Sequence, residues 1–164
     1  MQSRIIFAGS LAAVALLGAA CGTSTPSQAG TSPAPIAASP SPAATATTVA
    51  VANNSKLGQI LVDGSGRTVY LFVADTGMTS TCYLSCAQIW PPVLTTGTPL
   101  AGAGATASLL GTTARTDGTN EVTYGGHPLY YFVSDKKPGD TTGQAVDGFG
   151  ALWYVLSPSG MQIS

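Results

Sequence analysis

The chain has 164 residues, only 8% of them charged, with six Lys or Arg against seven Asp or Glu. With Arg4 set aside as part of a leader, five basic residues face seven acidic ones, and Lys136-Lys137 is the longest basic run. Such a balance lacks the basic patch that supplies most of the affinity for nucleic acid, so nucleic acid is not an expected partner.

Residues 1–20 read as a secretion signal. Arg4 forms a short positive head, Ile5 to Gly18 an apolar run, and Ala19-Ala20 a small-residue exit ahead of Cys21. Leu17-Gly18-Ala19-Ala20-Cys21 resembles the bacterial lipobox, in which cleavage before the cysteine leaves it to be acylated. That motif more often has its Leu three residues before the Cys, and here Leu17 stands four before it. Lipidation at Cys21 is the expectation, with unlipidated secretion and an uncleaved anchor as the alternatives. The anchor is disfavoured because the apolar run falls short of the ~20 residues that cross a bilayer.

Residues 21–52 are expected to form a disordered stalk of Ser, Thr, Pro, Ala and Gly. Ser-Pro and Ala-Pro steps favour extended backbone, and nothing there supplies an apolar face to pack. Thr45, Thr47 and Thr48 are compositional candidates for O-linked sugar.

Residues 53–164 make one small domain by length, and it is written twice. Tyr70-Leu71-Phe72-Val73-Ala74-Asp75 returns as Tyr130-Tyr131-Phe132-Val133-Ser134-Asp135, both reading Tyr-x-Phe-x-x-Asp. Val62 matches Val122, Gly66 matches Gly126, Arg67 matches His127, and a Trp closes each copy, Trp90 and Trp153. The copies span about 55–95 and 115–160, and self-similarity of this kind marks a supersecondary unit packed against itself. Gln59–Val62, the turn Asp63-Gly64-Ser65-Gly66, and Arg67–Phe72 read as a hairpin. Glu121–Tyr124, Gly125-Gly126 and His127–Phe132 repeat it with a two-residue turn. Both faces of Val69–Ala74 are largely apolar, so these strands should be covered on both sides. Ser85–Ile89 is at most one helical turn before Pro91-Pro92, and Ala105–Leu110 another short turn ended by Gly111. The expected fold is mostly β: a small antiparallel domain of two similar halves with long Gly/Thr-rich loops. Neither half should bury enough surface alone.

The chemistry-bearing residues each have two readings. Cys82 and Cys86, an even pair in an exported chain, are most simply a disulfide bracing the loop into Trp90. The alternative is a copper or redox site using Cys82 and Cys86 with Met78 and His127, since these are soft ligands. Asp75 and Asp135 follow strands and precede turns, where Asp accepts hydrogen bonds from its own loop; they are also candidates for a ligand or for paired-carboxylate hydrolysis. Arg67 and His127 occupy equivalent positions just after the turns, as surface residues or ligand contacts. Asp63 and Asp117 belong to turns, with Arg67 and Arg115 as candidate partners for the carboxylates. The aromatic residues at strand spacing read as core before they read as a binding groove.

Together Leu61–Gly64, Arg67–Asp75, Cys82–Pro92, Arg115–Gly118, Val122–Phe132 and Gly139–Trp153 resemble the bacterial secreted-repeat lipoproteins that carry a Tyr-x-(Phe/Trp/Tyr)-x-x-Asp motif, frequent in actinobacteria. The resemblance covers about Ser55 to Gly160. It implies an anchored envelope protein of this architecture, with Cys86-Ala87-x-x-Trp90-Pro91-Pro92 built into the scaffold, and brings no activity, substrate or cofactor. The expected function is therefore a lipid-anchored, outward-facing membrane protein with a non-enzymatic binding or structural domain. Its partner would be a wall component or a neighbouring envelope protein. An envelope copper or redox protein is the alternative; otherwise no cofactor is expected.

Overall fold

The computed structural model describes residues 45–164, and the expected signal, the lipidation at Cys21 and the stalk up to residue 44 lie outside them. The first strand, β1, runs Thr48–Asn54 and pairs antiparallel with β2, Gly58–Asp63, with Val51 opposite Leu61. This corrects the stalk boundary at residue 52. In composition Thr48–Ala52 continues the Thr/Ala-rich stretch before it, and only its register with β2 makes it a strand. The Thr47 hydroxyl, counted above as a sugar acceptor, donates to the Leu94 carbonyl at 2.6 Å.

From β2 the chain turns through Asp63–Arg67 into β3, Tyr70–Phe72. A single helical turn, α1, spans Ser85–Ile89 and stops at Trp90, before the proline pair. After β4, Leu100–Ala101, and a short 3-10 turn at Ala107–Leu109, the second copy repeats the plan. β5 (Leu110–Ala114) pairs with β6 (Asn120–Tyr124), which turns tightly into β7 (His127–Pro128). Gly125 and Gly126 both have positive φ, 59° and 86°, as a two-residue hairpin requires. β8 (Val146–Gly148) and β9 (Ala151–Val155) complete the chain. β5 corrects the reading of Gly111 as a terminator: the residue lies within a strand. Pairing is antiparallel throughout, apart from a two-residue parallel contact of β1 with β4.

The two copies exchange strands. β3 of the first copy pairs with β9 of the second, Phe72 opposite Trp153. Reciprocally, the Trp segment of the first copy lies along the motif strand of the second: Val133 N–H donates to Ile89 O and Tyr131 N–H to Pro91 O. The exchange centres on Tyr70 and Tyr130, whose backbones bond each other in both directions at 2.8 and 2.9 Å. As expected for a motif strand apolar on both faces, β3 separates two cores. Val69 and Leu71 pack with Val49, Leu61, Val93, Val122, Leu129 and Leu156. Tyr70 and Phe72 face the other core, which holds both Trp residues and the cystine.

Candidate functional site

The motif's side chains meet at the junction of the copies. Four rings stack in one column in the order Phe132, Trp90, Trp153, Phe72. Their centroid spacings are 4.2, 4.0 and 4.0 Å, and the two indoles lie 3° from parallel. Each outer Phe stacks on the Trp of the other copy. Tyr70 meets Trp90 edge-on at 5.3 Å, and Tyr130 meets Trp153 edge-on at 5.2 Å. Aromatic pairs in such geometries contribute about 0.5–1.5 kcal/mol each beyond burial.

The tyrosines and aspartates cross in the same way. Tyr70 OH donates to Asp135 Oδ2 at 2.6 Å, and Tyr130 OH donates to Asp75 Oδ2 at 2.6 Å. The other carboxylate oxygen closes each aspartate's own loop. Asp75 Oδ1 accepts from Thr81 N–H and hydroxyl at 2.8 and 2.6 Å. Asp135 Oδ1 accepts from Thr142 N–H and hydroxyl at 2.9 and 2.6 Å. Burial first, then the carboxylate it bonds, pushes the Tyr70 hydroxyl far up, so it remains a donor. Tyr130 is pushed up by burial and by the nearby Glu121 and Asp75 charges. The loop-capping role expected of both aspartates is present; the bond from the other copy's Tyr was not visible in the sequence.

Beside Asp75 lies a polar network without an obvious sequence signal. Arg115 pairs with Glu121 at 2.7 Å, and both are buried. Arg115 also donates to Ser80 Oγ (2.6 Å), to the Cys82 carbonyl (2.8 Å) and to Asp117 (3.2 Å). The Tyr130 proton goes to Asp75, so the 2.7 Å contact between Ser80 and Tyr130 has Ser80 as donor. Glu121 Oε1 is buried with no hydrogen-bond partner. Burial pushes this carboxyl up to about 7, against the opposing pull of Arg115.

Cys82 and Cys86 form a disulfide with Cα atoms 5.2 Å apart, and both are buried. A loop this short contributes about 2 kcal/mol on the chain-entropy account. The remaining residues of the copper reading are Met78, exposed on the loop after Asp75, and His127, half-buried in β7 opposite Tyr124. Among the described residues no group of three or more His, Cys, Asp or Glu is placed to hold a metal ion.

Of the predicted ligand contacts, the fold brings Arg67 and Asp135 together. They line a cleft of about 250 Å³ with Ser65, Lys136, Lys137 and Pro138. Arg67 forms no ion pair with Asp63; its guanidinium lies over the Tyr131 ring at 4.1 Å. Burial alone would raise the Asp63 pKa, but hydrogen bonds from Ser65, Arg67 N–H and Tyr131 OH outweigh it and hold the group below the usual carboxylate value. Asp75 is buried at the junction of the copies, beneath Tyr130.

The sequence model of the family Lipoprotein_15, described as a secreted repeat of unknown function, matches residues 51–94 and 111–157. The two matches coincide with the two interlocked copies. No curated protein and no solved structure matches the chain.

Proposed function

Because the chain belongs to the Lipoprotein_15 family of secreted repeats, we propose that it is an outward-facing bacterial envelope protein, lipid-anchored at Cys21, whose domain is a non-enzymatic binding or structural module. The observation that carries the non-enzymatic reading is the use made of the motif. The two motif carboxylates, the pair offered above for hydrolysis, have both oxygens engaged by Tyr and Thr donors, in mirrored arrangements. A catalytic carboxylate needs an oxygen free to face substrate; these two hold the copies together. The lipobox-like Leu17–Cys21 and the Ser/Thr/Pro/Ala-rich segment after it support the anchor and an extended reach. No helix among the described residues is long and apolar enough to cross a membrane.

The anchor is tested by the intact mass and detergent partitioning of the full-length chain made in a bacterial host. The expected product starts at Cys21, carries diacylglyceryl and acyl mass, and enters the detergent phase, whereas Cys21→Ser leaves the protein unacylated and in the aqueous phase. Wild-type protein found unacylated in the aqueous phase would remove the anchor from the proposal.

A further inference from the structure

The cations gather where the sequence shows only one pair. Of the five Lys and Arg residues described, Arg115 is buried and the other four reach solvent: Lys56, Arg67, Lys136 and Lys137. All four border one loop, residues 135–142. Arg67, Lys136 and Lys137 line the 250 Å³ cleft. Lys56 lines a second cleft, of about 410 Å³, along the same loop with Asn54, Gly139, Asp140 and Thr142.

We propose that this loop binds a linear polyanion of the cell envelope, a polymer whose repeated phosphodiester or carboxylate groups rest on Arg67, Lys136 and Lys137 and run on toward Lys56. The inference rests on the domain being a binding module and names the chemistry of its partner.

Three observations carry it. First, the loop is held in place before any ligand arrives. Gly139 N–H donates to Gly66 O at 3.1 Å, Asn54 Nδ2 to Gly139 O at 3.1 Å, and Thr68 Oγ1 to Asp140 O at 2.6 Å. A guanidinium stacked on an aromatic face keeps its in-plane donors for an oxyanion, and Arg67 on Tyr131 is placed this way.

Second, the nearby carboxylates are engaged by hydrogen bonds within the fold. Asp63 bonds the turn that carries Arg67, Asp135 bonds Tyr70 and Thr142, and Asp140 accepts from Lys136 and Lys137 N–H at 2.9 Å each. They reduce the local field without pairing with the cations: among the described residues both ion pairs belong to Arg115.

Third, the repeat plan does not require the charges, although in this copy Lys136 Nζ also donates to the Val133 carbonyl. In the first copy the loop after the motif reads Thr76-Gly77-Met78-Thr79, and the counterpart of Arg67 is His127. The repeat therefore closes the equivalent loop without lysines. Two clefts along a single loop suit an extended chain of anionic groups better than one small anion.

The test uses the full-length chain in non-ionic detergent with immobilised poly(glycerol phosphate) and, separately, polygalacturonate. Binding to at least one polymer at 50 mM NaCl is expected, weakened at 500 mM as screening shortens the reach of exposed charges. The Arg67→Gln/Lys136→Gln/Lys137→Gln variant should bind about tenfold more weakly, the scale of three exposed charge contacts. The single Lys137→Gln variant, an exposed position with no side-chain role in the fold, should give a smaller loss with an unchanged melting temperature. Equal binding by wild type and the triple variant would overturn the proposal. So would binding confined to phosphatidylglycerol vesicles, which would make the surface a lipid contact. Isolated envelope separates this proposal from the broader reading. If the triple variant is retained on envelope as wild type is, the module binds elsewhere and this cleft is wrong; if neither is retained, the binding reading itself fails.

Discussion

Tyr70 and Tyr130 each accept one hydrogen bond and donate one, from Gly143 N–H and Ser80 Oγ respectively and to Asp135 and Asp75. Replacing either by Phe keeps the ring contacts with the indoles and leaves a buried carboxylate oxygen without its donor. The expected cost is about 1–3 kcal/mol per site, read as a lower denaturation midpoint of the full chain. Glu121 predicts a pH dependence. Its folded pKa of about 7 lies above the ordinary 4.5, because burial disfavours the charge. Its contribution to stability is therefore fully present below about 4.5 and is lost as pH rises through about 7. Stability should fall across that window in the wild type, and Glu121→Gln should remove this part of the slope in melts at pH 4.5, 6 and 8. At this scale the sequence told half of the story. Asp75 and Asp135 could be read as loop caps from their position between strand and turn. Their tyrosine partners could not, because they lie 55 and 65 residues away along the chain. Nor could the burial of Arg115 with Glu121, two charged residues whose spacing resembles that of any exposed turn.

The segments that follow the motif strands show how one plan is closed in two ways. In the first copy the cystine holds the turn into Trp90. In the second, Gly143 sits directly against the rings, where an added Cβ would fall 2.7 Å from Trp90 and 2.9 Å from Tyr70. Gln144 then ties down the C-terminal segment, accepting from Val155 N–H and donating to Ile163 O. Gly143→Ala should destabilise by about 1–3 kcal/mol through overpacking and should shift the tryptophan near-ultraviolet signal, because it presses on the indole column. Left-handed backbone recurs in both segments, at Leu84 (φ 51°) and Ala145 (φ 58°), each three residues beyond the Thr that the aspartate caps. The hairpin turns were legible because Gly-Gly and Asp-Gly-Ser-Gly encode them locally. β1 and β5 were not, since Thr, Ala and Gly become strand there only by pairing with β2 and β6.

At the largest scale the described residues, 45–164, form an interlocked pair. Each copy's motif strand lies against the other copy's Trp segment, each Tyr bonds the other copy's Asp, and each Phe stacks on the other copy's Trp. A half expressed by itself would lose the rings stacked on its Trp and much of the cover on both faces of its motif strand. We expect fragments 45–105 and 106–164 each to give the circular dichroism spectrum of unfolded chain, and their mixture to recover the β signal and tryptophan signature of the intact domain. A fragment that folds alone would show that the exchange is not required.

The order of apolar and polar residues, the Gly turns and the repeated Tyr-x-Phe-x-x-Asp were enough to determine that this is a small β domain of two similar halves. They also carried the resemblance to the family, and the even pair Cys82 and Cys86 made a disulfide the first reading beside a copper site, because these properties depend on neighbours close in sequence or on plain repetition. Only the tertiary structure decided that the halves interlock rather than sit side by side, that both aspartates are buried latches, and that four scattered cations border one loop. The physical reason is common to all three. Hydrogen bonds, ring stacking and electrostatic fields depend on distance in space, and here the partners are tens of residues apart in a chain whose local pattern does not point from one to the other.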